Sequence, residues 1–497
     1  MLYKSTRNKK LKLDFSSIIV SGISEEGGLF VPEKFLPVSR EDLVILTKMD
    51  YVQRSVFILK KFLTDFTDEE LFDCAKKAYS PEKFSSRDIA SLKPLSDSVF
   101  ALELWHGPTC AFKDMALQLL AHLLKKSIEK RGIDKDIAVL VATSGDTGKA
   151  ALEGFKDVEG TSVLVFYPEN GVSKIQKLQM ATQVGKNVDV CAIYGNFDDA
   201  QSGVKKIFNS AKCVDALKKS GYLLSSANSI NWGRLVPQIV YYFSAYCDML
   251  KNGWINLGEP VNIAVPTGNF GNLLAAYYAK RMGLPVKNFI CASNKNNILT
   301  DFIHTGIYNI NRKFYSTTSP SMDILISSNL ERLLFDLYDE DDFKINDLYH
   351  KLSTDGVFEI SQEVKTKLKN EFYGGFCDDD QTKKSIKNVL EKYEYLCDPH
   401  TAVAFNVYDE YFEKTNDKTK TIIVSTASPY KFSKTVLESV DKNMNEDKNI
   451  FDIIEKLSEV TKTEIPNPIL QLKNLKLRFD KTISKSDMFE YVLKKFD

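Results

Sequence analysis

Lys113 is the residue of this chain best placed for amine chemistry. It lies in His106-Gly-Pro-Thr-Cys-Ala-Phe-Lys-Asp114, behind a Gly-Pro turn and among apolar neighbours, just before a helix. Apolar surroundings disfavour an ammonium and push a lysine toward the neutral nucleophile that imine chemistry needs. Read alone, the same residue is an ordinary surface charge at a helix start. Three further stretches could receive anions, and a fourth places hydroxyls at a strand end. In Ala142-Thr-Ser-Gly-Asp-Thr-Gly-Lys-Ala150, hydroxyls and backbone N–H groups meet at a strand-to-helix turn, a layout that suits a carboxylate or phosphate but also a plain capped helix. Pro266-Thr-Gly-Asn-Phe-Gly-Asn272 repeats that layout, and Gly268 and Gly271 would let the backbone close on a phosphate, with the φ freedom that glycine allows. It lacks both the Gly-Lys-Ser/Thr of a Walker loop and the Gly-x-Gly-x-x-Gly of a dinucleotide fold. Ser226-Ala-Asn-Ser-Ile-Asn-Trp-Gly-Arg234 gathers three polar side chains and an arginine suited to bidentate phosphate binding. Val424-Ser-Thr-Ala-Ser-Pro-Tyr-Lys431 ends a strand in hydroxyl residues.

The elements that must position these loops alternate. Apolar runs predict strands at 137–143, 162–167, 188–194, 261–265 and 286–292, each without polar alternation. Helical spacing predicts helices at 115–131, 147–155, 175–184, 198–217, 234–250 and 273–282. Such a series implies parallel sheets covered on both faces, with ligand loops at the carboxyl ends of the strands. Residues 1–95 read as a mixed, mostly helical N-terminal domain. Residues 96–440 read as two interleaved α/β domains, the smaller at about 137–220, and 441–497 as a Lys-rich helical tail. The acidic runs Asp339–Asp342 and Asp378–Asp380 read as solvated loops, without the ligand spacing of a calcium loop.

Composition excludes several classes. The chain has 497 residues, 43% of them hydrophobic, enough for a sizeable core without disulfides or metal. Lys plus Arg and Asp plus Glu both number 66, so no overall charge favours nucleic acid or an acidic membrane. The eight cysteines never form Cys-x-x-Cys and the five histidines never fall at metal-ligand spacing, so free thiols and no metal are expected. No apolar run reaches the ~18 residues of a membrane span. No signal peptide is evident at the N-terminus, and the expected compartment is cytoplasmic.

In this order, the five motifs resemble the threonine synthase family, pyridoxal-phosphate enzymes of the tryptophan-synthase-beta fold type. The longer bacterial and fungal members are the better match. The resemblance extends to Tyr3-Lys-Ser-Thr-Arg7, Glu26-Gly-Gly-Leu-Phe-Val-Pro-Glu33, Ser319-Pro-Ser-Met-Asp-Ile324 and Asp398-Pro-His-Thr-Ala402, essentially the whole chain. The family start falls at residue 1, so no transit peptide is expected. The resemblance implies a fold type II α/β enzyme: two α/β domains with parallel sheets flanked by helices, and pyridoxal 5′-phosphate in the cleft between them. It implies a monomer or homodimer converting O-phospho-L-homoserine and water to L-threonine and phosphate. Threonine-synthase-like proteins of animals supply the alternative, a phospho-lyase releasing 2-oxobutyrate, ammonia and phosphate.

Residue by residue, the resemblance makes Lys113 the Schiff-base lysine and proton shuttle. Gly268, Asn269, Phe270, Gly271 and Asn272 would hold the cofactor phosphate. Thr426 would face the pyridine nitrogen and Asp146 the cofactor 3′-oxygen. Ser144 and Thr147 would contact the substrate carboxylate or phosphate, and Asn228, Ser229 and Arg234 would grip the substrate phosphate. Ser428 replaces a usual histidine and Tyr430 a usual alanine. Lys149 stands where a small residue is common, either adding charge near the phosphate or lying solvated on its helix.

Overall fold

The computed structural model describes residues 1–170, 172–441 and 449–496. At the N-terminus, β1 (Tyr3–Ser5), β2 (Asn8–Leu13) and β3 (Phe30–Pro32) form a small antiparallel sheet. Then come β4 (Ser91–Pro94), β5 (Val99–Glu103), β6 (Asp136–Ala142), β7 (Thr161–Pro168), β8 (Val188–Tyr194), β9 (Tyr222–Ser225), β10 (Val261–Pro266) and β11 (Val286–Ser293). The series closes with β12 (Ile307–Asn309), β13 (Val357–Glu359), β14 (Phe372–Phe376), β15 (Thr421–Ser425) and β16 (Thr482–Ser484). Two sheets dominate. The larger runs β14-β11-β10-β15-β5-β4, parallel except for the antiparallel edge strand β4. The smaller runs β16-β8-β7-β6-β9, parallel throughout. β5, β10 and β15 are buried at every residue, as strands covered on both faces must be. All five predicted strands form within one residue of the expected ends.

Several expectations are corrected. The helix expected at 198–217 is two helices, Phe197–Phe208 and Ala211–Lys219, because the Ser210 side chain caps the second by accepting from Cys213 N. The acidic runs are mainly helix N-termini. Asp341 caps the helix Asp342–Asp355, and Asp378 forms a capping box with Gln381 ahead of the helix Asp379–Tyr393; a carboxylate there satisfies free N–H groups and meets the positive end of the helix dipole. The C-terminal segment is not purely helical. Its β16 pairs with β8, extending the smaller sheet, and β9 extends the opposite edge past residue 220. Residues 442–448 of the expected tail lie outside the described residues. Among the described residues no helix is long and apolar enough to cross a membrane, and no His/Cys/Asp/Glu group could hold a metal ion.

The loops that matter leave the carboxyl ends of strands. β5 leads into the loop before Lys113, β6 into Thr143–Gly145, β10 into Thr267–Phe270, and β15 into Thr426.

Candidate active site

Lys113 is the first residue of the helix Lys113–Lys130, two residues earlier than periodicity suggested. The preceding loop is fixed by Asp114, which is fully buried and accepts from Thr109 N and Thr109 Oγ1, both at 2.8 Å. Gly107 must be glycine there, since a Cβ would stand 2.6 Å from Asp114 Oδ2. Ala111 bridges to Ala427, and Phe112 N donates to Thr426 O at 2.8 Å. These contacts seat Lys113 beside the end of β15. The lysine is 8% exposed, with Nζ 3.3 Å from Ser321 Oγ and 3.6 Å from Asp146 Oδ2. Burial pushes its pKa down; Asp146 pulls upward, and Lys431 and Arg234 push further down. The pocket is therefore polar and charged, unlike the apolar surroundings the sequence suggested.

Asp146 opens the helix Asp146–Phe155. Thr143 Oγ1 accepts from Gly145 N and Gly148 N at 2.9 Å each and sets this turn. Asp146 Oδ1 takes Lys431 Nζ and Gln176 Nε2, both at 2.8 Å. Burial alone would raise this carboxyl; Lys431 and Lys113 outweigh it and hold Asp146 well below the usual carboxylate range. Ser144 and Thr147 share the turn, half-buried. Lys149 does not lie solvated on its helix. It is buried, 3.2 Å from Glu153, and hydrogen-bonded to Gln183 Oε1.

The second loop precedes the helix Gly271–Arg281, whose first turn has no side-chain cap. Its left-handed residue is Phe270, at φ 60°, while Gly268 and Gly271 lie outside that region, contrary to the expected need for glycine φ freedom. Space is what demands glycine at 268, where a Cβ would stand 2.7 Å from Ser321 O; at Gly271 the nearest atom would be Asn329 Nδ2 at 3.3 Å. The loop carbonyls are taken: Gly268 O accepts from Ser327 Oγ at 2.7 Å, and Asn269 O from Asn329 Nδ2 at 3.0 Å. Tyr241 and Tyr242 hydroxyls both donate to Asn272 Oδ1 at 2.5 Å, and Asn272 Nδ2 is buried with no partner among the described residues. Gly268→Ala should therefore displace the Ser321 segment from Lys113. We expect cofactor affinity to fall about tenfold or more, an overpacking cost of ~1–3 kcal/mol, with Gly271→Ala milder because Asn329 can move. Absorbance titration of the cofactor checks this, and undiminished affinity in Gly268→Ala would remove the loop from the site.

Arg234 lies in the first turn of the helix Trp232–Lys251, which Asn231 caps through Gly233 N. It is 3% exposed, its Nη1 donates to Ala227 O at 2.5 Å, and its Nε is buried without a partner among the described residues. Burial lowers its pKa to about 10. Ser229 Oγ lies 3.4 Å from Ser328 Oγ, itself 3.4 Å from Asn269 Oδ1, so the Asn228–Ser229 loop adjoins the Gly268–Asn272 loop. Thr426 is 5% exposed and its N donates to Thr401 Oγ1 at 3.2 Å. Ser428 is fully buried and accepts from Tyr430 N, capping the turn Pro429–Phe432, while the Tyr430 hydroxyl donates to Thr463 O at 2.8 Å.

Residues without a role in the sequence reading also meet here. Ser321 N donates to His400 Nε2 at 3.2 Å, and His400 Nδ1 lies 2.6 Å from buried Asp398. Ser321, His400 and Lys431 all sit in motifs that carry the family resemblance; Gln176 had no such signal. Three buried cations, Lys113, Lys431 and Arg234, thus share this region with Asp146. With Lys431 balancing Asp146, the unpaired Arg234 guanidinium, the Arg234 Nε and Asn272 Nδ2 left without partners among the described residues, and the uncapped helix start fit a phosphate-bearing cofactor and an anionic substrate.

Residues 88–347 match the family model for pyridoxal-phosphate dependent enzymes, and this is the class that the parallel sheets and the lysine-centred site define. Residues 2–79 match the model for the threonine synthase N terminus and residues 401–481 that for the threonine synthase C-terminal region. The chain belongs to the threonine synthase family. It is 36% identical over 440 residues to the threonine synthase of Pseudomonas aeruginosa, covering 88% of this chain and 90% of that one. Human threonine synthase-like 1 is 41% identical over 444 residues, 87% of this chain. The chain spans 59% of the length of that relative. A crystal structure of pyridoxal-phosphate-bound threonine synthase from Brucella melitensis superposes with a TM-score of 0.88 at 35% identity, covering 99% of both chains.

Proposed function

We propose that this protein converts O-phospho-L-homoserine and water to L-threonine and phosphate. The carrying observation is the excess of buried positive charge around Lys113 and Asp146 at the carboxyl ends of the parallel strands. Such a site suits one reactive amine and two phosphates. Pyridoxal 5′-phosphate, when bound, supplies an electron sink for carbanionic carbons. Gly268–Asn272 would hold its phosphate, Thr426 would meet its pyridine nitrogen, and Asp146 would face its 3′-oxygen. Lys113 Nζ would take the proton from substrate Cα and then one from Cβ, so that the Cγ–O bond to phosphate can break, and would return protons to Cγ and Cα. Arg234, Asn228 and Ser229 would grip the substrate phosphate, first as a positioning handle and then as the leaving group from Cγ. Ser144 and Thr147 would contact the substrate carboxylate or phosphate. Water would add at Cβ, giving its proton to the retained phosphate, and the product would be threonine.

A second reading has its own support: the 41% identity to human threonine synthase-like 1. Under that reading the product is 2-oxobutyrate. The two outcomes part on whether one water reaches Cβ before the intermediate escapes. A retained phosphate is a nearby base for that water, and Arg234 with Asn228 and Ser229 would retain it. The near-full-length match to bacterial threonine synthases also favours the first reading. NMR of the products from O-phosphohomoserine should show mostly threonine; a majority of 2-oxobutyrate would establish the lyase instead.

A further inference from the structure

Lys431 has no part in the roles above, yet its side chain is fully buried beside the reacting amine. Two ammonium groups share one carboxylate. Lys431 Nζ stands 2.8 Å from Asp146 Oδ1, and Lys113 Nζ stands 3.6 Å from Asp146 Oδ2. Gln176 Nε2 also donates to Oδ1 at 2.8 Å. Lys431 Nζ donates in addition to Thr109 O at 2.8 Å, inside the loop that leads to Lys113. The shorter ion pair therefore belongs to Lys431, and Lys113 retains a longer contact with the oxygen that Ser321 Oγ also approaches at 3.4 Å.

We propose that Lys431 is a positioning residue for Lys113: it commits Asp146 to itself and so leaves the reactive amine without a tight counter-ion. A buried Lys113–Asp146 pair on its own would hold the amine as a charged, non-nucleophilic ammonium. With Lys431 on the same carboxylate, the negative charge is already balanced. The charged groups facing Lys113 are Asp146 from the helix Asp146–Phe155, Lys431 from the turn Pro429–Phe432 and Arg234 from the helix Trp232–Lys251. His400 stands beyond Ser321, with Nε2 accepting a hydrogen bond. Burial, Lys431 and Arg234 all favour the neutral amine, against Asp146 and the Phe112 ring, whose centroid lies 4.7 Å from Nζ. Lys431 also keeps Asp146 ionised despite its burial.

The inference rests on Lys113 as the reactive amine and not on which product is released, so it can fail while the product assay succeeds. The test uses the full-length chain after cofactor removal. Reductive methylation with formaldehyde and cyanoborohydride is run across pH, and Lys113 labelling is quantified by mass spectrometry against exposed lysines in the same digest. Wild-type Lys113 should reach half-maximal labelling at lower pH than the exposed lysines. Lys431→Met should raise that midpoint by about one pH unit or more, and Lys431→Arg should leave it in place. A purely structural role for Lys431 would alter stability without moving the midpoint. Should Lys431→Met fail to fold, Lys431→Met/Asp146→Asn removes both charges and should keep a midpoint near wild type. A wild-type midpoint no lower than that of the exposed lysines overturns the proposal. So does an unmoved midpoint in Lys431→Met, or a double variant whose midpoint rises as the single variant's should.

Discussion

Lys113→Ala should abolish turnover and remove the residue on which borohydride fixes the cofactor. In the proposed mechanism this amine is both the covalent anchor and the base for substrate Cα. General-base removal alone costs about 10²- to 10⁴-fold, and loss of the nucleophile adds to it, so we expect a decrease of at least ~10⁴-fold. The fold should survive. Lys113 lies at a helix start, where its amine makes long contacts at 3.3 Å and 3.6 Å and faces the Phe112 ring at 4.7 Å. Truncating it relieves a cation that burial disfavours, although Asp146 keeps Lys431 as its partner. Phosphate release measures the loss, and mass spectrometry of the reduced wild-type enzyme maps the anchor. Among the described residues the other buried lysines are Lys431, Lys149 and Lys4, each tied to a carboxylate, the first two at 2.8 Å and 3.2 Å. A reduced cofactor found on any of them would reject Lys113.

What could be read from the sequence follows from the range of each interaction. β10 and its neighbours were legible because a strand covered on both faces is mostly apolar along its length, a purely local signature. The loops after β6 and β10 were legible because a strand followed by glycines and a helix marks a carboxyl-end turn. The ion pair between Asp146 and Lys431 was not legible, since it joins residues far apart in sequence through the packing of separate sheets. β16 was missed because three residues, Thr482–Ser484, carry too little periodicity to distinguish a strand from a polar tail. The acidic runs were misread because a helix cap and a solvated loop share composition and differ only in where the side-chain oxygens point. The glycine loop was read for the wrong reason: crowding against the Ser321 carbonyl, a tertiary fact, fixes Gly268, and Phe270 carries the left-handed turn.

Arg234→Ala should weaken catalysis with O-phosphohomoserine by about 2–4 kcal/mol, roughly 30- to 1,000-fold in kcat/KM, the scale of losing a charge-assisted donor to an anion in a closed site. Cofactor absorbance should persist, because the loop Gly268–Asn272 and Lys113 remain. Stability sharpens the distinction. Without an anion, Arg234 is a buried guanidinium that has, among the described residues, an orphaned Nε and one hydrogen bond, to Ala227 O, and burial lowers its pKa to about 10. A buried charge without a counter-ion costs folding energy. Truncation should therefore leave the Tm of the substrate-free enzyme unchanged or raise it, while activity collapses. A structural arginine would lose stability and activity together. Millimolar inorganic phosphate adds a second readout. It should raise the Tm of the wild type more than that of the variant, since a ligand stabilises only the state that binds it. Arg234→Lys should recover part of the activity, because an ammonium restores charge but not the bidentate fork. If Arg234→Ala loses the cofactor along with turnover, the arginine serves the cofactor phosphate, and the substrate phosphate must rest on Asn228, Ser229 and the turn at Ser144 and Thr147.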